Sequence, residues 1–153
     1  MSFCLVELYT GMELKKAFNF LKTLPDKLNR FYIKKLESRI IIKNKSKDKK
    51  VFDPVTNLDQ VFEKYIRSLI IKKFPHDSII GEEFKKKQSI SYYTWSIDPI
   101  DGTKAFIIGA PTWSNLVSLS FREDSLIGLV NFPELDKYYI NDKNKSYVFK
   151  KKK

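Results

Sequence analysis

The chain has 153 residues, 42% of them hydrophobic, and its formal net charge is +11. This length and apolar content favour one domain with a single core, which at this size buries about two-thirds of the surface that the unfolded chain exposes. Cys4 is the only cysteine and His76 the only histidine, which excludes an internal disulfide and a Cys- or His-based zinc cluster. The positive charge comes almost entirely from lysine, which lacks the bidentate contacts of arginine, so we expect no nucleic-acid partner.

The first segment, Met1–Tyr9, holds a short apolar run that Glu7 interrupts, with no basic residues before it. A signal peptide needs a basic start and a longer apolar core, and a membrane span needs about 20 apolar residues. We therefore expect a cytoplasmic protein that makes no contact with a membrane.

Two helices are expected in the next part of the chain. Apolar residues recur at helical spacing from Met12 to Leu36, and Pro25 should break this stretch because proline lacks the amide hydrogen that an inner helical turn needs. A strand is predicted at about 39–43. The lysine-dense run 43–50 has no apolar periodicity and is predicted to be a solvated loop. Whether one of its lysines reaches a bound phosphate stays open.

The clearest helix is predicted at about 56–73. Thr56 is suited to cap its first turn, and Asp59 follows three residues later, at the spacing of a capping box. Apolar residues then recur at spacings of three and four, which predicts one buried helix face. They are Leu58, Val61, Phe62, Tyr65, Ile66, Leu69 and Ile70.

A short buried strand is predicted at 78–81, and two acids follow it directly. Adjacent residues in an extended segment point to opposite sides, so the side chains of Glu82 and Glu83 should diverge. One of them can face a site while the other faces solvent or a basic neighbour.

A second strand, at about 92–97, leads into the acidic segment Asp98–Gly102. Its proline cannot pair inside a strand, so we predict a turn that holds Asp98 and Asp101 together. Thr103–Phe106 can then open a short helix whose first free N–H groups would face an anion. Two carboxylates this close repel each other, and a hard divalent cation such as Mg²⁺ would relieve the repulsion. The alternative is an ordinary turn whose acids face water.

The last third of the chain is predicted to be β-structure. Strands at 116–121 and 126–131 are separated by a four-residue turn, which predicts a hairpin. Further short strands are predicted at 138–140 and 147–149. Trp113, just before the hairpin, can be a core residue or line a substrate pocket, and the sequence leaves both open.

Three of these segments together resemble the inositol monophosphatase family of Mg²⁺-dependent phosphatases. They are Asp53-Pro-Val-Thr56, Gly81-Glu-Glu83 and Trp95-Ser-Ile-Asp-Pro-Ile-Asp-Gly-Thr103, and they occur in the family's order. The resemblance runs from about Phe52 to about Ile140. It implies an α+β fold built in layers, with helices packed on an antiparallel sheet. Two segments, Gly81–Phe84 and Phe106–Trp113, are most similar to the histidinol-phosphatase branch of the family.

The resemblance also implies a set of metal ligands. Glu82, Asp98 and the backbone carbonyl of Ile100 are expected to hold one Mg²⁺, and Asp98 and Asp101 are expected to hold a second. In such two-metal sites the ions activate a water and stabilise the leaving oxygen of a phosphate ester.

The groups that act on the substrate follow from the same resemblance. Thr103 and Glu82 are expected to position the attacking water, and Asp53 is expected to hydrogen-bond to Thr103. The backbone amides of Gly102 and Thr103 are expected to bind phosphate oxygens. The substrate would be a small phosphomonoester, with histidinol phosphate as the first choice and inositol monophosphate as the second.

Members of the family are considerably longer, and their carboxy-terminal half supplies a metal-binding aspartate in a Trp-Asp-x-Ala-Ala-Gly segment. This sequence contains no such segment, so residues 1–153 are expected to form the amino-terminal half of the domain, with the carboxy-terminal half missing. The second ion should then bind weakly, and turnover should be low. The alternative function is a non-catalytic remnant or interaction module. In the family the amino-terminal helices also help to form dimers, so a homodimer stays open.

Overall fold

The computed structural model describes residues 3–36, 39–48 and 50–150, with side chains from residue 11 onwards. The elements follow in the order α1 Phe3–Lys35, β1 Ile42–Asn44, β2 Pro54–Thr56, α2 Asn57–Lys73, β3 Ser78–Gly81, β4 Tyr93–Asp101, α3 Thr103–Ile107, β5 Ser114–Phe121, β6 Asp124–Phe132, β7 Lys137–Asn141 and β8 Ser146–Lys150. A short 3₁₀ turn separates β6 from β7. None of the helices in this part of the chain is both long and apolar enough to cross a membrane.

Six strands form the main sheet, in the spatial order β3-β4-β5-β6-β7-β8. From β4 to β8 each strand is antiparallel to the next, and the predicted hairpin is confirmed as β5 and β6. Strand β3 runs parallel to β4, which the expectation of an antiparallel sheet did not include. The connection 82–92 explains this pair, because it returns the chain to the end of the sheet where β3 begins.

The core lies between the sheet and helices α1 and α2. Each helix contributes one apolar stripe, and each strand contributes the residues on one face of the sheet. Tyr32 and Phe62 lie with their ring centroids 4.9 and 6.3 Å from that of Trp113. Trp113 is only 1% exposed, so it is a core residue. The other large side chains that are fully buried are Leu21, Leu24, Leu28, Leu58, Ile66, Ile70, Ile79, Trp95, Ile100 and Ile127.

Helix α1 continues through Pro25, where the sequence predicted a break. A proline inside a helix removes a backbone hydrogen bond and costs about 3 kcal/mol. Leu21, Leu24 and Leu28 lie within one turn of this proline and are fully buried. Each buried leucine contributes about 1.5–3 kcal/mol, so keeping the stripe continuous offsets the cost of the proline.

The first strand is shorter and later than the predicted 39–43. Strand β1 pairs antiparallel with β2 to form a small second sheet, with Lys43 opposite Val55. At its two ends, Asn57 Oδ1 accepts a hydrogen bond from the Ile41 amide at 2.8 Å, and the Lys45 amide donates to the Asp53 carbonyl at 2.7 Å. These contacts fix the register of the small sheet and the start of the lysine-dense run.

Candidate functional site

Strand β4 carries the acidic segment. The strand was predicted to end before the acids, but it continues to Asp101. Its register with β5 shifts between Asp98 and Asp101, which is a β-bulge. The bulge accommodates Pro99, because a residue inside it need not donate a hydrogen bond to the ladder. Both acids therefore lie on the end of a strand, where the sequence predicted a turn.

Three asparagine side chains form a hydrogen-bonded chain that ends at the bulge. Asn115 Nδ2 donates to the Pro99 carbonyl at 2.7 Å, and Asn131 Nδ2 donates to Asn115 Oδ1 and to Asn29 Oδ1, each at 2.9 Å. Asn115 and Asn131 are completely buried, where hydrogen bonds are stronger than in water. No role was predicted for these residues from the sequence, although polar side chains inside apolar strands are a signal that could have identified them.

Strand β3 ends beside the bulge. Gly81 pairs with Ile97 in the parallel register of β3 and β4. The residues that follow this pair, Glu82 and Asp98, therefore lie at the same end of the sheet. The side chain of Glu82 is 52% exposed and that of Glu83 only 5%. The two acids differ in their surroundings, as their adjacent positions predicted.

Lys45 provides positive charge at this end of the sheet. Its ammonium lies 2.5 Å from Glu83 Oε1 and 3.7 Å from Glu82 Oε2. Burial alone would lower the pKa of Lys45, but the hydrogen bond to Glu83 and the charges of Glu83, Glu82 and Asp59 outweigh it and raise that pKa. The lysine-dense run, predicted as a solvated loop, thus supplies a cation to the acids.

The acids repel one another at Asp98. Its pKa is raised from the ordinary value of 3.8 to about 7, chiefly because burial disfavours the charged carboxylate. Negative charges on three neighbours raise it further, those of Glu82, Asp101 and Asp59, whereas a hydrogen bond from the Ile100 amide opposes the rise. Four carboxylates therefore act on one another around the end of β4.

This donor set fits a hard divalent cation such as Mg²⁺, because such ions take carboxylate and carbonyl oxygens as ligands and would offset the repulsion at Asp98. The carboxylates are near one another but do not converge. Within the described residues, no three His, Cys, Asp or Glu side chains lie close enough together to hold a metal ion. The backbone places these acids at the same end of the sheet. Their side chains would have to rotate for the carboxylate oxygens to bind one ion together.

The structure does not join Asp53 to Thr103. Asp53 is exposed in the loop before β2, and its backbone amide donates to Asn44 Oδ1 at 2.9 Å. The Thr103 hydroxyl donates instead to the Ile100 carbonyl at 3.1 Å. Among the hydrogen bonds of the described residues, the expected one between Asp53 and Thr103 is not formed. The pairing of β1 with β2 keeps the Asp53 backbone on the small sheet.

Asp59 is an acid of the site that the sequence analysis missed. It is 2% exposed and accepts hydrogen bonds from the Thr56 amide at 2.8 Å and the Thr56 hydroxyl at 2.6 Å, which confirms the predicted capping box. Its charge also acts on Asp98 and on Lys45, so it lies near both. The signal was present in the sequence, but it was interpreted only as a helix cap.

The short helix α3 begins at Thr103, as predicted. Gly102, which precedes it, has a φ of 80°, in the left-handed region that favours glycine. Phe106 holds the helix on the core, with its ring centroid 5.0 Å from that of Trp113. The first amides of α3 therefore directly follow Asp101 in a fixed backbone conformation.

In the absence of divalent cations, we expect Asp98→Asn to unfold at a higher temperature than the wild type at pH 8, with the difference shrinking towards pH 4. The pKa of Asp98 is about 7 in the folded chain and 3.8 when unperturbed, so between these values the folded chain retains a proton that the unfolded chain has lost. Stability therefore falls as pH rises through this window, and asparagine avoids the loss. Thermal unfolding in EDTA at the two pH values measures the difference.

A matched control for this experiment is Asp142→Asn. Hydrogen bonds from the Asn144 and Lys145 amides lower the pKa of Asp142, so its carboxylate stabilises the fold once it ionises. This variant should lose stability at pH 8 rather than gain it. Equal midpoints for Asp98→Asn and the wild type at pH 8 would contradict the repulsion at the end of β4.

The fold and the site together define a class, a layered α+β protein with a carboxylate-rich site at the end of a helix-covered sheet. The chain belongs to the inositol monophosphatase family, whose model matches residues 16–153. This confirms the family that the three sequence segments indicated.

Two curated relatives illustrate the match. The histidinol-phosphatase of Chlorobaculum parvum is 42% identical over 86 residues, which are 56% of this chain and 33% of that protein. The fructose-1,6-bisphosphatase/inositol-1-monophosphatase of Aquifex aeolicus is 40% identical over 87 residues, which are 57% of this chain and 33% of that protein. The chain thus aligns with about a third of the length of these relatives.

Solved structures show the same fold. The extragenic suppressor protein SuhB from Bartonella henselae has a TM-score of 0.78 and 20% identity, covering 86% of this chain and 51% of that chain. An IMPase/NADP phosphatase complexed with Mg²⁺ and phosphate has a TM-score of 0.77 and 15% identity, covering 89% of this chain and 51% of that chain. The predicted inositol-monophosphatase-like α+β fold is confirmed, and the chain spans about half of each solved structure.

Proposed function

We propose that this protein acts in the Mg²⁺-dependent hydrolysis of a small phosphomonoester. The observation that carries the proposal is the gathering of Glu82, Asp98 and Asp101 at the ends of β3 and β4, where burial and, after it, repulsion raise the pKa of Asp98. Carboxylates in this state favour a bound cation. Membership of a family of phosphatases supports the same reaction class.

The groups that would hold Mg²⁺ are those that the resemblance implied, namely Glu82, Asp98, Asp101 and the carbonyl of Ile100. When bound there, such ions supply Lewis acidity and lower the pKa of a water. The Ile100 carbonyl accepts a hydrogen bond from the Thr103 hydroxyl, so Thr103 lies beside the proposed ligands.

The other roles fall to side chains and amides of this chain. The Thr103 hydroxyl is proposed to form a hydrogen bond with the attacking water. The amides of Gly102 and Thr103 are proposed to bind phosphate oxygens. The role first expected for Asp53 suits Asp59 better, because Asp59 is buried and acts electrostatically on Asp98. Lys45 would balance the negative charge of a bound phosphate.

Histidinol phosphate is the proposed substrate, followed by inositol monophosphate. The resemblance of the segments Gly81–Phe84 and Phe106–Trp113 supports this order, and so does the similarity to the histidinol-phosphatase of Chlorobaculum parvum. Both compounds offer a phosphomonoester of the same charge. The proposed site would contact the phosphate, which the two compounds share.

Phosphate release tests the proposal. The purified chain is incubated with each of the two phosphomonoesters in Mg²⁺ or in EDTA, and the released phosphate is measured over time. We expect release that depends on Mg²⁺ and is faster with histidinol phosphate. Equal release in Mg²⁺ and EDTA would contradict the reaction, whereas a faster rate with inositol monophosphate would reverse only the order of substrates.

A second candidate function is a non-catalytic interaction module that forms a homodimer. The observation that favours it is a depression of about 650 Å³ on the sheet, lined in part by Ile80, Leu116, Val130 and Tyr139. Ile80 is 42% exposed and Tyr139 is 40% exposed, although both lie on strands of the main sheet. An apolar surface of this kind favours association. A chain that self-associates and releases no phosphate in the assay above would support this candidate over the first.

A further inference from the structure

Helix α2 contains a buried carboxylate that its apolar stripe does not need. Glu63 is 0% exposed and lies between the residues that pack on the core. Burying a carboxylate costs several kcal/mol unless hydrogen bonds and an opposite charge offset the lost water. The contacts of Glu63 should therefore identify what the buried charge does.

Both carboxylate oxygens of Glu63 accept hydrogen bonds from the backbone that follows β3. Oε2 accepts the Glu83 amide at 2.7 Å, and Oε1 accepts the Phe84 amide at 3.3 Å. A carboxylate that binds two consecutive amides fixes the orientation of both peptide groups. One of them is the peptide that joins Glu82 to Glu83.

Arg67, one helical turn further along α2, completes this contact. Its Nε donates to Glu63 Oε1 at 2.7 Å, and its Nη2 donates to the Phe84 carbonyl at 3.2 Å. Arg67 therefore neutralises the buried carboxylate and holds the same segment at a second point. The positive charge explains how Glu63 stays buried.

Gly81, which precedes Glu82, also contacts Glu63. A Cβ atom at Gly81 would overlap the Glu63 carboxylate, so this carboxylate lies directly against the glycine backbone. The φ angle of Gly81 is not in the left-handed region. The glycine is thus required by the close approach of Glu63 and not by its own backbone conformation. Glu63 contacts the chain both before and after Glu82.

We infer that Glu63, neutralised by Arg67, is a positioning residue that orients Glu82 towards Asp98. The Glu82 side chain is 52% exposed, and its ion-pair distance to Lys45 is 3.7 Å, so its own contacts hold it weakly. The backbone on either side supplies the constraint instead. This inference rests on the proposed function, because it gives Glu63 the task of presenting a metal ligand.

The competing explanation is that the Glu63–Arg67 pair only attaches α2 to the end of β3. In that case, replacing Glu63 would lower stability and leave the affinity of the folded chain for a divalent cation unchanged. In a positioning role, the affinity itself falls, because partners of metal ligands typically contribute tenfold to a hundredfold in metal affinity. Metal affinity therefore separates the two explanations.

The test measures Mn²⁺ binding to the full chain by electron paramagnetic resonance, at one temperature at which the wild type and every variant are folded. Glu63→Gln keeps the shape of the side chain but removes one acceptor and the charge that Arg67 neutralises. Glu13→Gln is the matched control, because Glu13 lies in an ion pair with Lys16 on α1, away from the acids. We expect the dissociation constant to rise at least about tenfold for Glu63→Gln and to stay unchanged for Glu13→Gln.

Equal Mn²⁺ affinities for the wild type and Glu63→Gln would overturn the inference. If the wild type binds no Mn²⁺, the proposed function fails, and with it the task of Glu63 in presenting a metal ligand. Amide hydrogen exchange then tests separately whether Glu63 fixes the backbone beside Glu82. Exchange of the Glu83 and Phe84 amides should accelerate at least about tenfold in Glu63→Gln, with the amide of Leu119 in the core unchanged. Unaltered exchange at Glu83 and Phe84 would overturn the positioning of this segment.

Gly81→Ala is a second variant, for use if Glu63→Gln does not fold. It retains both buried charges and pushes the Glu63 carboxylate away from its position. We expect the same loss of Mn²⁺ affinity and the same faster exchange at Glu83 and Phe84. An alanine variant with wild-type affinity and wild-type exchange would contradict the close approach of Glu63 as the constraint on Glu82.

Discussion

Replacing Asp98 with asparagine is expected to lower Mg²⁺-dependent phosphate release by at least about 100-fold. Asp98 is proposed to contact both cation sites, and its carboxylate is the one on which burial and three neighbouring acids act. Asparagine preserves the shape and removes the charge. The measurement compares the rates of phosphate release from histidinol phosphate for the two proteins at pH 8 and saturating Mg²⁺.

The matched control for this loss is Asp124→Asn, the same substitution at an exposed position where β6 begins. It should keep the wild-type rate. Because both variants are purified in the same way, a contaminating phosphatase would give equal rates in all three samples. Equal rates for Asp98→Asn and the wild type would therefore reject Asp98 as part of the site.

The largest expected loss of stability comes from the face of α2 that lies on the sheet. Ile66 is 0% exposed, and truncation to alanine should cost about 2–5 kcal/mol of unfolding free energy, through lost burial and the cavity left behind. Ile71, on the same helix, is 42% exposed, and the same substitution there should cost about 0.5 kcal/mol or less. The difference isolates burial, because helix and residue type are identical.

Urea unfolding followed by circular dichroism measures both losses. The midpoint should fall clearly for Ile66→Ala and hardly at all for Ile71→Ala, with similar slopes for the two variants. A similar loss at both positions would mean that α2 does not pack on the sheet through the face that carries Ile66. In that event the contact of Glu63 with the end of β3 would also need another explanation, since Glu63 lies on the same helix.

Part of the fold followed from local patterns. The stripe on α2, its capping box at Thr56 and Asp59, and the hairpin of β5 and β6 were predicted because each depends on residues close together in the sequence. Pro25 was different. Its local cost predicts a break, and only the tertiary packing of the leucines around it keeps the helix continuous.

The site was also predicted only in part. Asp98 and Asp101 were found because acids after a predicted strand can be recognised in the sequence, whereas the choice of Glu82 over Glu83 came from the resemblance to the family. The roles of all three remain proposals. Asp53 was assigned a role by the resemblance and Asp59 only a helix cap, and the sequence does not report which of the two acids is buried. In the structure, Asp53 is exposed and Asp59 is 2% exposed.

The sequence by itself determined most of the elements, the acidic segment and the family, because periodicity, turn residues and motif order are local properties of the chain. Only the tertiary structure decided which charges meet. Lys45 and Glu83 are 38 residues apart and Glu83 and Glu63 are 20 apart, yet each pair is in contact. Such contacts depend on how α2, β3 and the small sheet are arranged in space, and the spacing of residues along the chain does not record that arrangement.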